Sequence, residues 1–497
     1  MDTSSPNSVL PTHRQLYWGG AWHDPKAGGF APVEDPASGA SLGMAPVAEA
    51  EDADAAIAAA KAGFAVWRRV PPLERARIMH EIAAVIRKHG DELALLDAID
   101  GGNPVHEMRS DALVAARMFE FFAGLVTEMK GASIPMGPDA VNFSVREPLG
   151  VVARIVAFNH PFMFAAGKLA APLAAGNAVI VKPPEQAPLS GLRLAELLGP
   201  LLPPGVLGVL CGGRGVGAAL ASHPGVAMVT LIGSVATGRA VMRAASDTLK
   251  PVLLELGGKN ALIAYPDADP DDVAAGAVAG MNFTWCGQSC GSTSRIFLHD
   301  DIHDAVVKRI VERVASYRPG PPSDPKTTMG ALISRAHHAK VLDFIAAGRA
   351  EGAVVATGGK PPSDPALAGG CFIEPTVFTG VRQDMRIARE EIFGPVMSVL
   401  RWRDEAAMLA DVNSVEYGLT CAIFTNDLET AHRAAAEAQA GYIWINKVGT
   451  HFLGAPFGGV KQSGIGREEC LGELISCTQE KNIHIALTGR KRASTGR

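Results

Sequence analysis

Cys290, in Gly287-Gln288-Ser289-Cys290, lies 35 positions after Glu255, in Leu254-Glu255-Leu256-Gly257-Gly258-Lys259-Asn260. The pair offers a soft nucleophile and a carboxylate base, each set among glycines that let a ligand approach the backbone. A thiol adds well to carbonyl carbon, and a carboxylate can then activate water against the thioester that results. If both face one pocket, the chemistry on offer is oxidation of an aldehyde to an acid. Most cysteines are core fillers. Cys290 differs because Gly287, Ser289, Gly291 and Ser292 surround it with small residues, and such a turn exposes a thiol and supplies N–H donors to an oxyanion. Cys286, close to Phe283 and Trp285, reads as structural. Glu255 interrupts the apolar run Pro251-Val252-Leu253-Leu254, a costly place for a carboxylate unless it is paired or used.

Lys182-Pro183-Pro184-Glu185 ends an apolar run. Ligands of open α/β sheets bind beyond the carboxyl ends of strands, so these charges are placed to hold ribose hydroxyls. Gly213-Arg214-Gly215-Val216-Gly217-Ala218 fits the G-x-G-x-x-G/A pattern, weak evidence as a lone match in a chain with 54 glycines. Gly233-Ser234-Val235-Ala236-Thr237-Gly238 follows an apolar run and opens a helical one, the context for a diphosphate at a helix N-terminus.

The elements that must position these groups read as repeated β/α units. From Val151 short apolar runs (151–157, 178–181, 206–210, 228–232) alternate with helical stretches at Pro161–Ala174, near 188–198, after Gly215 and after Ser234, which implies a parallel sheet. The alternation resumes after Glu255 and runs to about 460, enough for a second α/β body bounded by Leu256-Gly257-Gly258 and Phe457-Gly458-Gly459. Upstream, helices are expected at about 50–67 and 72–89, with Asp91 capping the next. Residues 1–16 read as a loose polar arm and the last Arg/Ser/Thr-rich residues as disordered. Asn482–Leu487 reads as a late strand needing a partner, either Val141–Glu147 or another subunit.

A chain of 497 residues should split into two or three domains. A net charge of -5 excludes a polyanion-binding footprint, and nucleic acid with it. The seven scattered cysteines form neither a disulfide framework nor a metal-ligand spacing. The apolar tract from Gly150 to Lys182 is broken by Arg154, Asn159, His160, Pro161, Lys168 and Pro172, so no membrane span of about 20 residues is expected. With no signal-peptide pattern at Met1–Pro6, a reducing cytoplasm is the expected location.

Together these segments resemble the aldehyde dehydrogenase superfamily, of the NAD(P)-dependent hydrolytic type, from about residue 17 to 488. The matching motifs are Phe158-Asn159-His160-Pro161, Lys182-Pro183-Pro184-Glu185, Gly233-Ser234, Glu255–Lys259, Gly287–Cys290, Glu391-Ile392-Phe393-Gly394-Pro395 and Pro456–Gly459. The resemblance implies an α/β fold of two Rossmann-like parallel-sheet domains plus a small β oligomerisation element. Residues 1–130 and 149–256 would bind NAD, 257–460 would be catalytic, and 131–148 with 461–497 would bridge subunits of a homodimer or homotetramer. Cys290 would be the nucleophile, Asn159 with the Cys290 N–H the oxyanion hole, and Glu255 the general base. Lys168 and Glu468 would relay protons. Lys182 and Glu185 would hold the adenosine ribose and Gly213 would lie near the adenine. Gly233, Ser234, Gly238 and Leu256 would line the cofactor site, and Glu391 with Phe393 would meet the nicotinamide ribose. The Glu255–Cys290 spacing is one residue longer than in many members, which implies an irregular turn near Gly280.

A carboxylate at Glu185 should repel a 2′-phosphate, favouring NAD, with Lys182 and Arg214 leaving NADP possible. By resemblance the substrate tunnel is lined by His160, Phe162, Met163, Phe164, Gly167, Trp285, Cys286, Ser289 and the loop Val448–Phe457, including Phe452 and Phe457. Gly167 stands where many members carry an aromatic residue, so a wider tunnel is expected there. An aromatic or medium-chain aldehyde is the expected small-molecule substrate, with a betaine or ω-amino aldehyde as the alternative; sparse aromatics argue against the cage a trimethylammonium group would want. Glu255 argues against a CoA-acylating relative, and the presence of both Cys290 and Glu255 against an inactive binding or structural homologue. The nucleotide-binding residues would have no purpose in a plain thiol hydrolase.

Overall fold

The computed structural model describes residues 6–487; the C-terminal tail expected to be disordered lies outside them. Helix α1 (Val105–Gly124) precedes the parallel strands of the first sheet and packs against α2 (Pro161–Gly167). Strands β1 (Val151–Ile155), β2 (Ala178–Lys182), β3 (Leu207–Val209), β4 (Met228–Ile232) and β5 (Val252–Glu255) run parallel in the order β5-β4-β1-β2-β3. Helix α3 (Arg214–Ser222) follows β3 and α4 (Val235–Ser246) follows β4. Every residue of β1 and β2 is buried, as expected of parallel strands covered on both faces. Chain direction then sets the site: Lys182, Ile232 and Glu255 all end their strands at one edge of this sheet.

The second sheet contains β6 (Ala261–Ala264), β7 (Arg295–His299), β8 (Thr376–Thr379), β9 (Val396–Trp402), β10 (Thr420–Phe424) and β11 (Tyr442–Ile445), parallel in the order β8-β9-β7-β6-β10-β11. Helix α5 (Pro270–Gly280) leads from β6 toward the Cys290 loop. After β11 the chain returns to the first sheet, where Ile465 pairs with Leu254 and Gly464 with Glu255. The late strand, Thr478–Ala486, pairs antiparallel with Ala140–Pro148 of the same chain over nine positions.

Three expectations need correction. Residues 1–16 are not a loose arm throughout, because Val9 and Leu16 are buried in the first core. The helix expected over Pro161–Ala174 is two, α2 and Ala170–Ala175. Pro172 would drive its ring against the carbonyl of Lys168 in a continuous helix, so the break falls at Lys168-Leu169. Asp91 does not cap its helix, which starts at Gly90 behind His89. Asp91 sits in the first turn, where its charge still opposes the helix dipole, and pairs with Arg109 at 2.8 Å. Among the described residues no helix is long and apolar enough to cross a membrane.

Candidate active site

Helix α5 stops at Gly280, and the chain reaches Cys290 through left-handed backbone at Asn282 (φ 55), Cys286 (φ 56) and Gly287 (φ 67). This is the irregularity expected near Gly280. Left-handed conformations at non-glycine residues cost about 1–3 kcal/mol each and persist only where the surroundings enforce them. Here Asn260 helps: its Nδ2 donates to the carbonyls of Cys290 (2.6 Å) and Ser292 (3.0 Å), while its Oδ1 accepts from the Thr420 N–H (3.0 Å). The close approach explains Gly258, whose added Cβ would stand 2.7 Å from the Cys290 carbonyl oxygen. Cys286 is fully buried, its Sγ donating to the Gly330 carbonyl, and burial holds its thiol protonated.

Cys290 and Glu255 line one cavity of about 520 Å³ between the two sheets. His160, Met163, Lys168, Trp285, Ser289, Phe452, Phe457 and Glu468 share it. Four expected residues do not: Cys286, whose thiol is turned into the core against Gly330, and three others. Asn159 is buried nearby, its carbonyl accepting from Asn103 Nδ2 (2.9 Å). Phe162 faces the core, and its N–H donates to Asp97. Gly167 widens nothing, because Met118 of α1 fills that space, its Sδ lying 2.5 Å from where a Cβ would be.

Both Glu255 oxygens are buried without a hydrogen-bond partner. Burial, reinforced by the charge of Glu468 and only partly offset by Lys168, holds its carboxyl well above the usual carboxylate range. Burial likewise pushes the Cys290 thiol up to about 12, with the charges of Glu255 and Glu391 adding to the effect. Both groups are therefore held toward their neutral forms. A positive charge brought beside the sulfur would favour the thiolate.

Behind Glu255 lies a buried ionic chain. Lys168 Nζ sits 2.8 Å from Glu468 Oε2, and Arg154 bridges Glu468 (3.2 Å) and Glu473 (3.0 Å). Burial opposes the charge on Lys168, but the carboxylates of Glu468, Glu473 and Glu469 outweigh it and hold its pKa above the ordinary lysine value.

Along the carboxyl edge of the first sheet, and across the cleft from it, the remaining predicted groups stand as a cradle. Lys182 Nζ donates to the carbonyls of Pro183 (2.8 Å) and Gly212 (2.7 Å). Glu185 is exposed, and a Cβ at Gly213 would meet its Oε2 at 2.6 Å. Helices α3 and α4 carry no acidic residue in their first turns, and the Ser234 side chain caps α4 by accepting from the Thr237 N–H (3.2 Å). Gly233 donates its N–H to the Glu255 carbonyl (3.0 Å), tying the cradle to the cavity. Leu256 packs where a Cβ at Gly238 would intrude, at 2.6 Å. Across the cleft the Gly258 N–H donates to Glu391 Oε1 (2.9 Å), and a Cβ at Gly257 would lie 2.1 Å from Glu391 Oε2. Phe393 stands edge-on to Phe158, centroids 5.6 Å apart, with left-handed backbone (φ 58). Two helix N-termini for phosphates and two carboxylates for ribose hydroxyls fit a dinucleotide.

Several cavity residues escaped the sequence reading. Asp111, Val114, Arg117 and Met118 of α1 face the cavity; their i, i+3, i+6, i+7 spacing marks a single helical face. Asp111 Oδ2 lies 2.7 Å from His160 Nδ1. Asn260, the clamp on the loop, closes the Leu254–Asn260 segment, where the sequence reading gives it no role. Trp444 also escaped the sequence reading, whereas Phe164, Trp285, Phe452 and Phe457 line the cavity as the resemblance implied.

The sequence profile of the aldehyde dehydrogenase family matches residues 22–483. Aldehyde dehydrogenase tropH of Talaromyces stipitatus is 51% identical over 489 residues, spanning 97% of this chain and 95% of that protein. Betaine aldehyde dehydrogenase of Mesorhizobium japonicum is 44% identical over 471 residues, 94% of this chain and 96% of its own. The crystal structure of PnpE from Pseudomonas sp. WBC-3, in complex with nicotinamide adenine dinucleotide, superposes with a TM-score of 0.93 at 39% identity. That match covers 96% of this chain and 98% of PnpE.

Proposed function

The chain belongs to the aldehyde dehydrogenase family, and from that premise we propose that it oxidises an aromatic aldehyde to its acid with NAD. The carrying observation is that Cys290 and Glu255 line one cavity while both Glu255 oxygens lack a hydrogen-bond partner. A carboxyl left free at such a site is available to water.

Cys290 is the nucleophile: its sulfur adds to the aldehyde carbon, and the Asn159 amide with the Cys290 N–H receives the oxyanion. When bound, NAD supplies the two-electron acceptor, and its positive ring favours the thiolate. Lys182, Glu185 and Gly213 hold the adenosine end, Ser234 at the start of α4 the diphosphate, and Glu391 with Phe393 the nicotinamide ribose. Glu255 takes a proton from the water that cleaves the thioester. Its raised pKa makes it, once ionised, a stronger base than an ordinary carboxylate. Lys168 and Glu468 sit behind it as the route by which that proton leaves.

The ring-lined walls support the aromatic substrate. The same rings also support a second reading, an aldehyde with a trimethylammonium group held by cation–π contact, and the likeness to a betaine aldehyde dehydrogenase points the same way. A cytoplasmic homodimer or homotetramer completes the proposal; the strand Thr478–Ala486, with Ile485 exposed, offers an unpaired edge for it. The test is NADH formation from aromatic, aliphatic, amino and betaine aldehydes, with NAD or NADP, with and without CoA. CoA-independent NADH production, lost in Cys290→Ala, is expected. No reduction of either cofactor by any aldehyde would overturn the proposal.

A further inference from the structure

Resting on the reading above, we infer that the substrate aldehyde carries an ionised oxygen group at its far end, recognised by Arg117. Asp111 is paired with His160 (2.7 Å), Glu468 with Lys168 (2.8 Å), and Glu469 with His451 (3.3 Å). Burial opposes a positive charge on His160, but Asp111 outweighs it and raises the pKa, so the contact favours an imidazolium matched by the carboxylate. Glu255 is held toward its neutral form by burial. Arg117 remains: it lines the cavity and has no ion-pair or hydrogen-bond partner among the described residues.

Its position gives the cation a purpose. Asp111 and Arg117 lie on one face of α1, and six residues at about 1.5 Å each separate them by roughly 9 Å along the axis. Arg117 is exposed whereas Asp111 is buried, so the unpaired guanidinium stands at the mouth and the His160–Asp111 pair lies deeper. The Trp285 indole N–H, on a residue lining the same cavity, is buried without an acceptor. An aldehyde whose ring bears a carboxylate or a phenolate-type oxygen would place that group toward Arg117, whose planar fork suits a carboxylate in two-point contact. A trimethylammonium group entering the same mouth would be repelled, which disfavours the betaine alternative.

The experiment compares kcat/KM for 4-formylbenzoate, its neutral methyl ester, 4-hydroxybenzaldehyde and a trimethylammonium benzaldehyde. The enzymes are wild type, Arg117→Ala, Arg117→Lys and Arg117→Glu. The wild type is expected to prefer 4-formylbenzoate to the ester by about tenfold, or about 1.4 kcal/mol, mainly through KM. That ratio should fall to about one in Arg117→Ala, recover in part in Arg117→Lys, and invert in Arg117→Glu. A preference for 4-hydroxybenzaldehyde that grows as its phenol ionises would assign the group to a phenolate; a preference confined to 4-formylbenzoate would assign it to a carboxylate. A wild-type ratio near one, or a ratio unmoved in Arg117→Ala, overturns the inference while turnover of the ester leaves the parent reading intact. Failure of all four aldehydes overturns both.

Discussion

Replacing Arg154 by Met should destabilise the protein by stranding charge, and the structure permits the size and pH dependence to be worked out. Arg154 is fully buried in β1 and bridges Glu468 and Glu473, which are equally buried. Methionine keeps much of the side-chain volume, so the loss is mainly electrostatic. Removing one member of a buried ionic set costs about 3–5 kcal/mol. At about 2.1 cal/mol/K per residue, unfolding 497 residues as one unit carries an entropy of about 1 kcal/mol/K. The apparent Tm should then fall by about 3–5 °C, or roughly twice that if the first α/β body unfolds alone. Glu473 already titrates above the ordinary carboxylate range, through burial and then Glu468, with Arg154 opposing. Without Arg154 its folded pKa rises further. A raised folded pKa in an acid gives a penalty absent below the unfolded value, about 4.3, and growing as pH climbs through the folded one. The Tm deficit should therefore be smaller at about pH 5 than at about pH 8. Adding Glu473→Gln should return part of it, read as a double-mutant cycle by scanning calorimetry. A deficit equal at both pH values, or no recovery in the double variant, would refute stranded charge and leave lost packing as the cause.

Further outcomes follow from the same cavity and its walls. With its thiol pushed up to about 12, Cys290 in cofactor-free protein should react with iodoacetamide at a rate rising about tenfold per pH unit from pH 8 to 10, and faster with NAD; a plateau below pH 8, seen by peptide mass mapping, would contradict this. Burial raises Asp97 to about 7, so its ionisation increasingly penalises the fold as pH rises from about 4 through 7. Asp97→Asn keeps an acceptor for the Phe162 N–H and should raise the apparent Tm more at about pH 8 than at about pH 5. Gly167→Ala should push Met118 into the cavity and raise KM for a bulky aromatic aldehyde at least threefold more than for acetaldehyde; equal effects on both would place Met118 elsewhere.

The cavity was legible where chemistry is written in contiguous residues. Glu255 before two glycines and Cys290 among small residues announce themselves locally, and the strand ends that carry Lys182 and Glu255 follow from the β/α alternation. What stayed hidden is what distant segments bring. Met118 fills the space beside Gly167 from 49 positions upstream, so reading Gly167 alone predicted room that does not exist. Arg117 and Asp111 look like ordinary polar positions on a helix until α1 is laid against α2. Four of the five Phe and Trp rings lining the cavity, on Phe164, Trp285, Phe452 and Phe457, were expected by resemblance; Trp444 was not, because folding brings it in from β11 of the second sheet. Pro172, with no N–H to donate and a ring that meets the Lys168 carbonyl, is the local signal for the break at Lys168-Leu169.

The most direct test of the central claim is to trap the covalent intermediate in Glu255→Gln. With NAD and benzaldehyde, intact-protein mass spectrometry should show a benzoyl adduct building up in the variant and not in wild type, mapping to the peptide that contains Cys290. Wild-type turnover by Glu255→Gln with no adduct, or acylation of a different cysteine, would contradict the pairing of Cys290 and Glu255 on which the account stands.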